Sequence, residues 1–233
     1  MTLDIGFLLF PKVQQLDLTG PYEVFASLPG ARVHLVAATR EAVAASTGLK
    51  LTPTTTYADC PPLDVVCIPG GAGVNALLTD ESALAFVRRK AAAARYLTSV
   101  CTGALVLGAA GLLCGKRATT HWNAQDLLAS YGAIPVAARV VRDGNLLTGG
   151  GVTAGIDFAL TLVAELAGQA AAEAIQLSLE YAPAPPFDAG TPDRAAPDIV
   201  AAVRSRTAAN RRERETLAAA WAARHDVDFQ RPR

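Results

Sequence analysis

Tyr96-Leu97-Thr98-Ser99-Val100-Cys101-Thr102-Gly103-Ala104-Leu105-Val106-Leu107 decides how this chain is read. An apolar, partly β-branched run stops at a cysteine, and small and apolar residues with helical spacing follow at once. That order predicts a strand, a sharp turn that carries the cysteine, and a helix, which together make a nucleophile elbow. The turn would lift the sulfur clear of the sheet and set it at a helix N-terminus, where the dipole favours thiolate over thiol. Thiolate is the form that attacks carbon.

Working outward, strands and helices alternate. Asp4–Phe10 reads as a buried strand that ends at Pro11, and Asp17–Leu28 as a short helix with Pro21 near its first turn. Arg32–Ala37 and Asp64–Ile68 read as further strands, the second stopping at Pro69-Gly70-Gly71-Ala72-Gly73. Leu49–Thr52 makes a short one. Ser82–Ala94, Thr102–Leu113, Trp122–Tyr131, Thr153–Ala167 and Ala170–Glu180 read as helices. Val136–Arg142 and Asn145–Thr148 read as a strand pair turned at Asp143-Gly144. Strands that are apolar throughout and alternate with helices imply a mainly parallel sheet covered on both faces, an α/β fold. Ligands in such sheets sit beyond the strand C-termini, which is where the glycine turn and Cys101 both fall.

The chain has 233 residues, of which 51% are hydrophobic, so one large core can be buried. A net charge of zero argues against a nucleic-acid partner. No apolar run approaches the ~18 residues that a membrane span needs. The first residues, MTLDIGF, lack a basic leader, so a cytoplasmic location is expected. The proline-rich stretch 182–197 should be extended, and from about Asp198 a helix is expected. In that helix, Arg211-Arg212-Glu213-Arg214-Glu215 reads as a solvated face, while Leu217 and Trp221 pack on the body or on a partner chain.

Four cysteines occur, Cys60, Cys67, Cys101 and Cys114, none as CxxC, and three histidines. A structural zinc site and disulfides are therefore not expected. Cys67, inside the apolar strand, and Cys114, at the end of a helix, read as packing residues. Cys101 stands apart through its position. Asp17 has two readings, a helix N-cap or a carboxyl that passes protons to Cys101. Gly70, Gly71 and Gly73 are not a dinucleotide fingerprint, since no strand with an acidic residue follows at the needed spacing. Such a turn can instead aim backbone N–H groups at developing negative charge. His121, in ATTHW, either activates the thiol or bonds a backbone group, the second being the simpler reading.

Together these residues resemble a known group. Asp17–Phe25 (DLTGPYEVF), Ile68-Pro69-Gly70-Gly71, Ser99–Leu113 (SVCTGALVLGAAGLL), Thr119-Thr120-His121-Trp122 and Thr148–Asp157 (TGGGVTAGID) are similar to the ThiJ/PfpI superfamily, and within it to the isocyanide hydratases. The resemblance implies a flavodoxin-like three-layer α/β sandwich. It implies a single ThiJ/PfpI-type domain over 1–233 with a C-terminal helical extension from about 191–233, and a homodimer. It implies Cys101 as nucleophile, Asp17 as acid/base partner and Thr102 as the group that orients or stabilises the intermediate. Gly71, Ala72 and Thr102 would bind substrate or an oxyanion, and Gly150 and Val152 would lie on a mobile, strained segment near the active-site helix. No cofactor or metal is implied. Peptidase-like members follow the nucleophile with histidine, where this chain has Thr102. Glyoxalase-like members place glutamate where it has Asp17, and the regulator members continue into a DNA-binding region.

The reaction so implied is hydration of an isocyanide to an N-substituted formamide through a covalent thioimidate. A glyoxalase III or deglycase activity on dicarbonyls and a non-enzymatic small-molecule sensor are the alternatives.

Overall fold

The computed structural model describes residues 2–225; positions 226–233 of the expected extension lie outside the described residues. In chain order come β1 (Leu3–Leu8), α1 (Gln15–Ala26), β2 (Ala31–Ala37), β3 (Val43–Ala44), β4 (Lys50–Leu51), β5 (Thr55–Thr56) and β6 (Val65–Ile68). Then follow α2 (Val74–Leu77), α3 (Glu81–Ala91), β7 (Tyr96–Val100), α4 (Gly103–Ala109) and β8 (Arg117–Ala118). A 3-10 helix (Trp122–Tyr131), β9 (Ile134–Pro135), β10 (Val140–Asp143), β11 (Leu146–Gly149), α5 (Ala154–Ala167), α6 (Gln169–Ser178) and α7 (Pro197–Arg224) complete it.

The main sheet has the order β10-β11-β7-β6-β1-β2-β5. All its pairs are parallel except β10 with β11. From β1 the chain crosses through α1 to β2 on one side, and from β6 through α3 to β7 on the other. Right-handed crossovers that run in opposite directions put their helices on opposite faces, so this is a three-layer, flavodoxin-like sandwich. The order reverses between β1 and β6, and the crevice beyond their C-terminal ends is the natural ligand position.

The core follows the expected pattern. Every residue of β6 is buried, as are Leu97, Thr98, Ser99 and Val100 of β7. Phe7, Phe25 and Phe158 pack in a row between β1, α1 and α5. Several local details depart from expectation for physical reasons. Helix α4 stops at Ala109 rather than Leu113, because Gly111 turns left-handed (φ 78°). Trp122–Tyr131 winds as a 3-10 helix. Pro21 lies well inside α1 rather than at its first turn, and it has no N–H to offer the Asp17 carbonyl four residues back. The α1–α5 contact tolerates this ring because Gly155 faces it; a Cβ there would meet Pro21 Cδ at 2.8 Å.

The 182–196 stretch forms no helix or strand, and α7 then packs against the 3-10 helix. Trp221 is anchored on the body, its Nε1 donating to the Ala109 carbonyl at 3.0 Å and its ring lying against Tyr131. None of the described helices is long and apolar enough to cross a membrane.

The first residue of α4 sits directly on the end of β6. A Cβ at Gly103 would meet the Pro69 carbonyl oxygen at 2.8 Å and the Ile68 carbonyl oxygen closer still. These are backbone atoms and cannot rotate away. Gly103→Ala is therefore expected to lower stability by about 1–3 kcal/mol in urea unfolding. Gly151→Ala, with no atom near its added methyl, should change it by less than ~0.5 kcal/mol. Equal midpoints for the two variants would show that this close approach is not required.

Candidate active site

Strand β7 delivers Cys101 in the left-handed region, at φ 55°. For a residue with a Cβ that conformation costs on the order of 1–3 kcal/mol and persists only when neighbours hold it. Two hydrogen bonds do so. The Cys101 N–H donates to the Gly149 carbonyl at 3.1 Å, and its own carbonyl accepts from Thr120 Oγ1 at 2.7 Å. Thr102 holds the N-cap position of the short helix α4 that begins at Gly103, without a capping bond from its side chain. The elbow is therefore formed as the Tyr96–Leu107 pattern predicts.

The turn after β6 brings in the other half of the site. Gly70 N–H donates to Asp17 Oδ2 at 2.9 Å, and Gly71 N–H donates to Thr102 Oγ1 at 3.1 Å. Gly70 must be glycine, since a Cβ would meet Thr102 N at 2.6 Å and Asp17 Oδ2 at 2.7 Å. Gly71 (φ 134°) also has no side-chain option, because Lys12, Val13 and Gln14 close on it. The loop after β1 is stitched to this turn, with Gln14 N–H donating to the Gly70 carbonyl at 2.9 Å and Gly73 N–H to the Lys12 carbonyl at 3.1 Å. Three strand ends, β1, β6 and β7, thus bring Asp17, Gly70–Gly71 and Cys101–Thr102 to one point at the switch in strand order.

Asp17 is not the N-cap of α1. The cap position is Gln14, and Asp17 lies within the first turn with its carboxyl fully buried. Burial pushes its pKa up from 3.8 to about 7, against the lowering effects of the Cys101 thiol and the Gly70 N–H. Its second oxygen, Oδ1, has no partner and forms no aligned bond with the sulfur. The Cys101 thiol is held well above its usual pKa, first by burial and then by the negative charge of Asp17. The Thr102 N–H and hydroxyl act in the opposite direction. The expected resting thiolate is thus corrected: desolvation outweighs what the end of a seven-residue helix supplies. A charged Asp17 thus opposes ionisation of the thiol beside it.

The remaining candidates fall as follows. Gly71's N–H is committed to Thr102, so it organises the hydroxyl rather than facing an open site. Ala72 is exposed at the turn, and among the described residues its N–H makes no backbone hydrogen bond. His121 does not bond Cys101. It caps the 3-10 helix, its Nδ1 accepting from Asn123 N–H at 3.3 Å. Burial and the nearby Arg214 lower its pKa. Gly150 and Val152 follow the carbonyl that holds Cys101, but neither has a left-handed φ; the strained residue here is Cys101 itself. Cys67 is buried in β6 with its pKa pushed up to about 12, as a packing thiol should be. All four cysteines are free. Among the described residues no cluster of three or more His, Cys, Asp or Glu could hold a metal ion.

Two contributions escape a reading of the chain. One is Thr120, whose hydroxyl props the elbow. The other is Arg214, buried rather than on a solvated face. Arg211 of the same run is also tied down, to Asp126 at 2.6 Å. No local signal separates these arginines from surface ones.

Residues 4–165 match the DJ-1/PfpI family. The chain belongs to that family. It is 67% identical over 208 residues to the isonitrile hydratase of Pseudomonas putida, covering 89% of this chain and 91% of that protein. A solved ThiJ/PfpI family protein from Pseudomonas syringae superposes with a TM-score of 0.91 at 45% identity, covering 94% of this chain and 91% of the other. A transcriptional regulator of Pseudomonas aeruginosa, GbdR, is 33% identical over 187 residues; these are 76% of this chain but 50% of the regulator.

Beside the elbow of this DJ-1/PfpI domain lies a cavity of about 580 Å³. Thr120, Trp122, Gly150, Val152 and Pro192 are among its walls. It abuts the Cys101 backbone through Thr120 and through Gly150, the residue after Gly149.

Asp17 carries a measurable signature. A carboxyl that protonates near 7 when folded and near 3.8 when unfolded stabilises the fold fully only below pH ~4. That contribution is lost as pH rises to about 7, at roughly 1.4 kcal/mol per pH unit. Asp17→Asn keeps an oxygen for the Gly70 N–H and removes the buried charge. It should unfold about 4 kcal/mol less readily than wild type above pH 7, with the gap closing towards pH 4. A difference independent of pH would show that Asp17 is not raised.

Proposed function

We infer that this protein is an isonitrile hydratase, which adds water to R–N≡C and yields the formamide R–NH–CHO. The observation that carries this is the 67% identity to such an enzyme along nearly the whole of both chains. A buried thiol–carboxyl pair suits this chemistry. The isonitrile is small and uncharged, so a dry site needs no ionic clamp for it.

The mechanism proposed uses Cys101 as nucleophile and Asp17 as the shared acid and base. The Asp17 carboxylate accepts the thiol proton on Oδ1, the oxygen without a partner. This removes the negative charge that opposes thiolate formation. The Cys101 sulfur then bonds to the terminal carbon while Asp17 returns the proton to that carbon. The product is a thioimidate, R–N=CH–S–Cys. Asp17 next takes a proton from water as the water oxygen adds to the same carbon, and passes that proton to the imidate nitrogen. As the C–S bond breaks, the proton of the new hydroxyl passes through Asp17 to the departing sulfur, the formamide leaves, and the thiol is restored. One difficult hydration becomes two easier steps. A carboxyl of pKa about 7 is matched to both transfers near neutral pH.

Thr102 would steady the sulfur through its N–H and hydroxyl, its oxygen being aimed by the Gly71 N–H. The Ala72 N–H is proposed to meet the substrate at the open side. The cavity bounded by Trp122, Val152 and Pro192 is proposed to seat the group R, with Gly150 and Val152 supporting the elbow behind it. On this reading the whole chain, 1–233, works as one domain with 191–233 packed on it as an extension, and it acts as a homodimer in the cytoplasm.

Purified protein given cyclohexyl isocyanide should release N-cyclohexylformamide, followed by mass spectrometry. Cys101→Ala should abolish this, and Asp17→Asn should lower kcat by about 10²–10⁴-fold. No turnover by wild type, equal turnover by Cys101→Ala, or faster conversion of methylglyoxal to lactate would overturn the assignment.

A further inference from the structure

Arg214 is 7% exposed, on a helix whose neighbouring charges face water or surface partners. Its Nε donates to Asn75 Oδ1 at 2.9 Å, and an Nη donates to Asn210 Oδ1 at 2.7 Å. Both partners are neutral. Among the described residues no carboxylate pairs with this guanidinium. A cation held out of water without an anion is costly, so a compensating group is required.

The titratable groups around it are few. Glu213 is its neighbour on α7, but its carboxylate accepts from Asn75 Nδ2 at 2.8 Å. Arg211 on the same helix is held by Asp126 and Glu215. Tyr131 and His121, at the two ends of the 3-10 helix, are kept neutral by burial, which raises the first pKa and lowers the second. Cys101 on the elbow acts on it by charge, and Asp17 on α1 acts by charge on Cys101 in turn. Of these, Cys101 is the group that must become an anion during turnover.

The hydrogen bonds lead to the same place. Asn75 stands in the first turn of α2, just after the Gly70–Gly73 turn. Asn210 also donates from Nδ2 to the Ala72 carbonyl at 3.2 Å, and Asn75 Nδ2 donates to the Asn210 carbonyl at 3.0 Å. A polar layer, buried at Arg214 and Asn75 and open at Ala72, therefore ties α7 to the turn that orients both Asp17 and Thr102.

We propose that Arg214 is a positioning residue of the active site, a fixed cation on the C-terminal helix that favours the thiolate of Cys101 and, through Asn75 and Asn210, steadies the glycine turn. The charges are consistent with this: burial lowers the Arg214 pKa, and a Cys101 anion acts against that lowering. The proposal rests on Cys101 being the nucleophile.

The test is the rate of Cys101 alkylation by iodoacetamide as a function of pH, with the site read by peptide mass spectrometry because Cys114 is exposed. Arg214→Met should move the midpoint upward by about one pH unit, a roughly tenfold slower reaction at pH 7, with the high-pH plateau unchanged. Arg214→Lys keeps the charge without the fork and should stay near the wild-type midpoint. An unmoved midpoint in Arg214→Met, or a folded Arg214→Lys that titrates as high as the Met variant, overturns the proposal. Should Arg214→Met not fold, Arg214→Gln carries the same expectation and the Lys variant the same veto. Alkylation is read without turnover. A wild type that fails to hydrate isonitriles leaves this titration interpretable, and a flat Arg214 series leaves the hydratase assignment standing.

Discussion

A thiol and a carboxyl buried within reach of one another cannot both be charged. That constraint organises the centre of this protein. Burial alone would leave Cys101 inert and Asp17 protonated. Backbone and hydroxyl donors tilt the balance: the Gly70 N–H draws one carboxylate oxygen, and the Thr102 N–H and hydroxyl favour the sulfur anion. What results is the thiol–carboxyl pair proposed above to pass one proton back and forth. The fold serves this pair by ending three parallel strands at the same height and by reversing strand order between two of them.

The strain at Cys101 belongs to the same economy. A left-handed cysteine stays only because Gly149 and Thr120 grip its amide and its carbonyl. Those two residues come from segments that also wall the adjoining cavity. The posture of Cys101 and the walls of that cavity therefore share their supports, through hydrogen bonds to the main chain rather than through the sulfur.

Local signals carried most of the architecture. The apolar strand that stops at Cys101, the glycine turn after β6 and the Asp143-Gly144 hairpin were all legible, because each depends on residues adjacent in the chain. What lies behind them was not. Asp17 reads on local sequence first as a helix cap and only second as a proton carrier, and its actual partner is an N–H 53 residues away. The Arg211–Glu215 run has the spacing of a solvated helix, and only Asn75 and Asp126, far off in sequence, show that two of its arginines are tied to the body. Strand β11 was visible as half of a hairpin but not as the parallel neighbour of β7. The expected thiolate reversed because burial, a property of the whole fold, outranks one short helix end.

Gly70, Gly71 and Gly103 leave no room for a Cβ because backbone and site atoms occupy the space where one would go. The reactive centre is therefore built largely from main chain, and main chain offers few handles to mutation. Trp122, Val152 and Pro192 line the neighbouring cavity with ordinary, replaceable side chains. On the proposed function such a division separates chemistry from selectivity: descendants of this sequence can explore new substituents by changing cavity walls while Cys101 and Asp17 are inherited intact.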